Sequence, residues 1–142
     1  MTIICEIVSQ DRPVFSGEVE MVIIPGASGE MGILPNHAPL LSSLSFGIIT
    51  VKTKGSQEHF TVAGGIAEIL PNRVTILADA AENVEEIDVE RALAAKQRAE
   101  ERLKSITAAD IDRYMRASYA LKRSNLRLQA VQKYRKMNKN RI

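Results

Sequence analysis

A β-sandwich or flattened barrel followed by an antiparallel helical hairpin is the fold that this 142-residue sequence predicts. Three observations predict it. All eight Gly and all five Pro fall within residues 1–87, where short apolar runs alternate with turn residues. From Asp88 onward there is neither, and alanine and leucine recur at helical spacing. The charge changes at the same place: residues 1–87 carry four Lys/Arg against eleven Asp/Glu, whereas residues 113–142 carry ten Lys/Arg and no acid. A turn-rich acidic half and a Gly-free basic half read as two modules with different partners.

The strands follow in order. Residues 3–8 alternate as a strand, and Asp11-Arg12-Pro13 turns the chain. Residues 19–24 form the next strand, stopped by Pro25-Gly26, and residues 29–34 another, stopped by Pro35-Asn36. Phe46 to Val51 leads through Lys54-Gly55-Ser56, a hairpin turn, into His59 to Val62. Gly64-Gly65 reads as a tight turn before Ile66 to Leu70, and Pro71-Asn72 turns into Val74 to Leu77. Turn signals every 8–12 residues or so mark an all-β module. A parallel sheet is disfavoured because no helical crossover fits between the strands.

Asp88 is a suitable N-cap, with Glu90 in the first turn of a helix whose seam is Ala92, Ala95, Ala99, Leu103 and Ile106. Thr107 with Asp110 offers a capping-box-like start for a second helix, with the stripe Ile111, Tyr114, Ala117/Ser118, Leu121, Leu128 and Val131. The short connection makes the helices antiparallel neighbours. Ala117, Ala120 and Ser124 face the alanine seam, so the axes approach closely but bury little apolar area. Such a hairpin is marginally stable alone, which suits a mobile element as well as one docked permanently.

Composition excludes several classes. Aromatic residues are 4% of the chain and Trp is absent, so the core is aliphatic. The single cysteine, Cys5, excludes an internal disulfide. The N-terminus lacks a basic, apolar leader, and no apolar run nears the roughly 18–20 residues that span a bilayer, which points to the cytoplasm. His37 and His59 form no metal-spaced cluster and neighbour no nucleophile pattern, and Gly26, Gly29 and Gly32 match neither a dinucleotide fingerprint nor a P-loop. Catalysis finds little support.

The run Ser28-Gly29-Glu30-Met31-Gly32-Ile33-Leu34-Pro35-Asn36-His37-Ala38-Pro39-Leu40 holds two Gly and two Pro and displays Glu30 and His37 at loop tips. With Val62 to Ile69 and Val74 to Asp79, it resembles the epsilon subunit family of the bacterial F-type ATP synthase over nearly the whole chain. The resemblance implies a ten-strand antiparallel β-sandwich over residues 1–86 and a two-helix hairpin over 87–142. It implies a non-catalytic rotor subunit of the enzyme that couples proton transport to ATP synthesis, peripheral at the cytoplasmic face of the bacterial membrane. Its partners would be the gamma subunit and the c-ring, with Glu30 and His37 facing the c-ring. The hairpin would extend to the catalytic beta and alpha subunits and inhibit ATP hydrolysis; nucleic acid would not be a partner, and the membrane only through the complex.

Ile87-Asp88-Val89-Glu90-Arg91-Ala92 is similar to the family's ATP-binding pattern, Ile/Leu-Asp-x-x-Arg-Ala, and Glu82 precedes it at the matching distance. Arg98 lies two turns beyond Arg91, and Arg123 and Arg127 share a face of the second helix. ATP, with or without Mg, is thus an expected regulatory ligand. Planar guanidiniums donate in pairs to phosphate oxygens, and four nearly match a triphosphate's charge. Apart from the resemblance, Arg91 and Arg98 are a solvated helix face and Asp88 only a cap. The basic residues Lys122, Arg123, Arg127, Lys133, Arg135 and Lys136, with Lys139 and Arg141, would meet an acidic segment of the catalytic head. Two rival readings use the same features: a nucleic-acid-binding β-domain with a basic helical arm, and a free-standing ATP sensor. The acidic sandwich, with three Phe, lacks the stacking platform that the first requires.

Overall fold

The structure is a computed structural model and describes residues 1–107 and 109–135. The chain divides into two compact units, Met1–Val84 and Glu85–Ile142. Unit one is all β. Its strands are β1 (Ile3–Ser9), β2 (Pro13–Val19), β3 (Met21–Gly26), β4 (Gly29–Ile33), β5 (Leu40–Thr53), β6 (Ser56–Leu70), β7 (Arg73–Ala78) and β8 (Ala81–Asn83). Their order is β2-β1-β7-β6-β5-β3-β4, with β8 pairing β6.

Period-two alternation puts aliphatic side chains inside. Ile3, Cys5 and Ile7 of β1, Val22 and Ile24 of β3, and Val74 and Ile76 of β7 are buried around Phe60 of β6. Phe15 of β2 meets Phe60 edge to face, with ring centroids 5.5 Å apart, so a sheet-edge strand folds back over the middle of the sheet. That closure makes a sandwich of one continuous sheet.

The sandwich class holds; its strand inventory differs from expectation. Eight strands replace ten because β5 and β6 each serve both layers. Their pairing skips at Ser45 and Gly64, and β6 pairs β8 before that point and β7 after it. Gly64 and Gly65, expected as a tight turn, lie inside β6 with φ of 90° and 136°. A β-carbon on Gly65 would run into the Leu77 carbonyl oxygen, so only glycine lets the strand bend there. Cutting the two long strands at this bend would restore a count of ten.

The sheet is also not wholly antiparallel. β1 and β7 pair in parallel, Ile4 opposite Arg73 through Ser9 opposite Ala78. No helix is needed, because the chain from β2 to β6 is itself the crossover. Arg73 Nη1 donates to Glu6 Oε1 at 2.5 Å across this pair. β2 and β8 were not expected as strands, and Pro25 and Gly26 continue β3 instead of stopping it.

A short 3₁₀ turn, Val84–Glu86, spans the boundary of the two units and leads to α1 (Val89–Ser105) and α2 (Ile111–Tyr134) in unit two. Asp88 caps α1, accepting from the Arg91 amide at 3.1 Å. Asp110, not Thr107, caps α2, accepting from the Arg113 amide at 3.3 Å. The longer reach of a capping box is unnecessary when a carboxylate sits directly before the first turn. Ala92 and Ala99 of α1 and Ala117, Ser124 and Ala130 of α2 are buried. The expected stripe fails at its start: Ile111 is 63% and Tyr114 49% exposed, because the seam of α2 is built from small residues.

Candidate functional site

Each of Arg91, Arg98 and Arg123 directly precedes a buried seam residue, respectively Ala92, Ala99 and Ser124. At 3.6 residues per turn, each therefore sits on the same side of its own seam. An antiparallel pair has a pseudo-two-fold axis normal to the plane of the two helices, which maps that side of α1 onto the same side of α2. Arg127, one turn beyond Arg123, joins that flank. The four residues thus fall on one flank of the hairpin, which by the same spacing also carries Arg102 and Arg116. Arg91 and Arg98 are exposed, and Arg123 and Arg127 half-buried.

The base of this flank is ordered. Ile87 is buried, and the Asp88 carbonyl takes the Ala92 amide at 3.0 Å while its carboxylate caps the turn. A capping carboxylate is partly neutralised by the helix N-terminus, so it opposes an anion beside Arg91 less than a free carboxylate would. At the same end Arg135 Nη2 donates to the Ile87 carbonyl at 2.7 Å. Sequence reasoning assigned Arg135 to an external acidic surface, and its use within the hairpin was not foreseen. Charge-assisted donors of this kind suit a polyphosphate, and Arg91, Arg98, Arg123 and Arg127 would supply four above the Asp88 carboxylate.

Glu82 belongs to β8 in unit one, where its main-chain carbonyl accepts from Thr61 Oγ1 at 3.4 Å. Glu30 and His37 do not share a loop. Glu30 is exposed in β4 next to the β3–β4 turn, opposite Pro25, whereas His37 follows the other end of β4. His37 Nδ1 donates to the Ala38 carbonyl at 2.7 Å. Asn36, with φ of 70°, anchors that turn through its amide to the Pro71 carbonyl at 2.7 Å. Lys122 and Lys133 are exposed on α2, with the Lys133 ammonium 5.2 Å from the Tyr134 ring centroid. Lys136, Lys139 and Arg141 lie outside the described residues.

On unit one, Ile66 and Leu77 are register partners on β6 and β7, and both are about half exposed (50% and 56%). Leu41, opposite Glu68 on β5, is 69% exposed on the same face. Together they form an apolar row on one face of the sheet. Among the described residues no helix is long and apolar enough to cross a membrane.

The ATP synthase delta/epsilon chain beta-sandwich domain matches residues 2–84, and the long alpha-helix domain of the same chain matches residues 85–132. The ATP synthase epsilon chain of Desulfitobacterium hafniense (strain Y51) is 46% identical over 129 residues, 91% of this chain and 96% of that one. That of Bacillus licheniformis is 49% identical over 127 residues, 89% and 95% of the two chains. Among solved structures, a chain of the Euglena gracilis mitochondrial ATP synthase, OSCP/F1/c-ring in rotational state 1, superposes with a TM-score of 0.75 at 27% identity, covering 92% of this chain and 81% of that chain. On both modules, the chain belongs to the delta/epsilon chain family of the ATP synthases, among the bacterial F-type epsilon subunits.

Proposed function

We propose that this chain is a non-catalytic regulatory subunit of the central stalk, whose hairpin senses ATP and restrains ATP hydrolysis. The observation that carries the proposal is the single flank of Arg91, Arg98, Arg123 and Arg127 above the Asp88 cap. A triphosphate, with or without Mg, would take charge-assisted hydrogen bonds from arginines of both helices, so it favours the closed form. At 100 times its dissociation constant the gain is about 2.7 kcal/mol.

With ATP scarce, the closed form loses that support. The hairpin then opens, and its basic α2, with Lys122, Lys133 and the basic tail, engages an acidic surface of the catalytic beta and alpha subunits. Opposite charges steer and hold that contact, which weakens with salt. Unit one anchors the molecule: its apolar row at Leu41, Ile66 and Leu77 suits the gamma subunit, and Glu30 and His37 suit polar loops of the c-ring. The chain would then act at the cytoplasmic face of the cell membrane, held there by the complex, while proton flow drives synthesis in the other subunits.

Calorimetric titration with ATP tests the nucleotide site. The chain should release saturable heat, and the Asp88→Ala/Arg91→Ala variant should lose most of it. Equal heats from the two proteins would remove the site.

A further inference from the structure

The end of α2 is tied to the start of α1 by one side chain. Arg135, the C-cap of α2, holds its own amide on the Val131 carbonyl at 3.1 Å and sends Nη2 to the Ile87 carbonyl at 2.7 Å. That carbonyl precedes the helical ladder of α1, whose first bond runs from the Ala92 amide to Asp88. It belongs to a residue only 4% exposed, so a donor from elsewhere in the hairpin must satisfy it. The Arg135 Nε is itself buried.

We propose that Arg135 is a latch that closes the open end of the hairpin. The other end of the pair is joined covalently by the α1–α2 connection. At the free end the buried residues of the two facing helices are small, Ala92 and Ala130, and bury little apolar area. A charge-assisted hydrogen bond at a part-buried position is stronger than a neutral one on the surface, and this one must break before the helices part at that end. The cation also lies at the C-terminus of α2, where the helix dipole favours it.

The family model matches residues 85–132, so Arg135 lies three residues beyond the matched segment. Ile87 opens the segment Ile87-Asp88-Val89-Glu90-Arg91-Ala92, so the latch also fixes the backbone on which the arginine flank starts. Its regulatory meaning rests on the two-state hairpin proposed above; the latch itself does not.

Hydrogen exchange of the nucleotide-free full chain tests it. In Arg135→Ala, the amides of Ala92 and of residues 131–134 should exchange about tenfold faster or more, while those of Val62 and Ile76 in the sandwich keep their rates. A chain ending at Tyr134 should reproduce the effect, and Arg116→Ala, which removes an equal charge elsewhere on α2, should exchange like the parent. Parent-like exchange in Arg135→Ala overturns the latch, and so does an equal acceleration in Arg116→Ala. Faster exchange in Arg135→Ala from a chain that shows no ATP heat upholds the latch and removes only the nucleotide reading.

Discussion

Cys5 points from β1 into the aliphatic core, and its burial, with a smaller contribution from the neighbouring Glu6 carboxylate, pushes the thiol up to about 12. The sign of the consequence is fixed. An unfolded thiol ionises near 9.0, so between that pH and 12 the unfolded chain has lost a proton that the folded chain keeps. The stability tied to the protonated thiol is whole below pH 9 and falls above it, by up to about 1.4 kcal/mol per pH unit. Urea unfolding of the parent and of Cys5→Ala across pH 8–11 checks this: the parent should show the steeper alkaline loss. The burial of Cys5 was legible in its alternating apolar run. The conformation of Gly64 and Gly65 was not, because a glycine pair reads alike in a turn and in a bent strand. Only the pairing of β6 with β7 and β8 separates the two.

The elements differ in how much of them local pattern decides. Strands with one buried face declare themselves by alternation, as β1, β3 and β7 do. β8 has three residues, too few for any period, and exists because β6 supplies an edge for it. In the hairpin the alanine seam was readable, and so was the Asp88 cap, because both depend on neighbours within two turns. The exposure of Ile111 and Tyr114 was not, since apolar spacing alone does not say which stripe meets the partner helix. A seam of Ala92, Ala99, Ala117, Ser124 and Ala130 has no room for larger groups. Ala99→Leu should therefore cost the hairpin about 1–3 kcal/mol by overpacking. Hydrogen exchange should show α1 and α2 amides accelerated and β-strand amides unchanged.

Across the whole molecule, charge is segregated by module: −7 over residues 1–87 and +10 over residues 113–142. That segregation was visible in the sequence and is what assigns the two modules different partners. The arginine flank was only half visible. Spacing put Arg91 with Arg98 and Arg123 with Arg127, but joining the pairs required the burial of Ala99 and Ser124 to place both seams. The Arg135 tie was hidden altogether, since a cation near the end of a basic helix reads as solvated. On the function proposed above, these features belong to a two-state hairpin, in which small-residue packing and the Arg135 tie hold the closed form until the catalytic head competes for α2. The direct test is the rate of ATP hydrolysis by the assembled ATP synthase carrying either the full chain or one ending at Asp88. A restraining hairpin predicts faster hydrolysis by the truncated complex, with the gap widest at low ATP. Equal rates at every ATP concentration would contradict it.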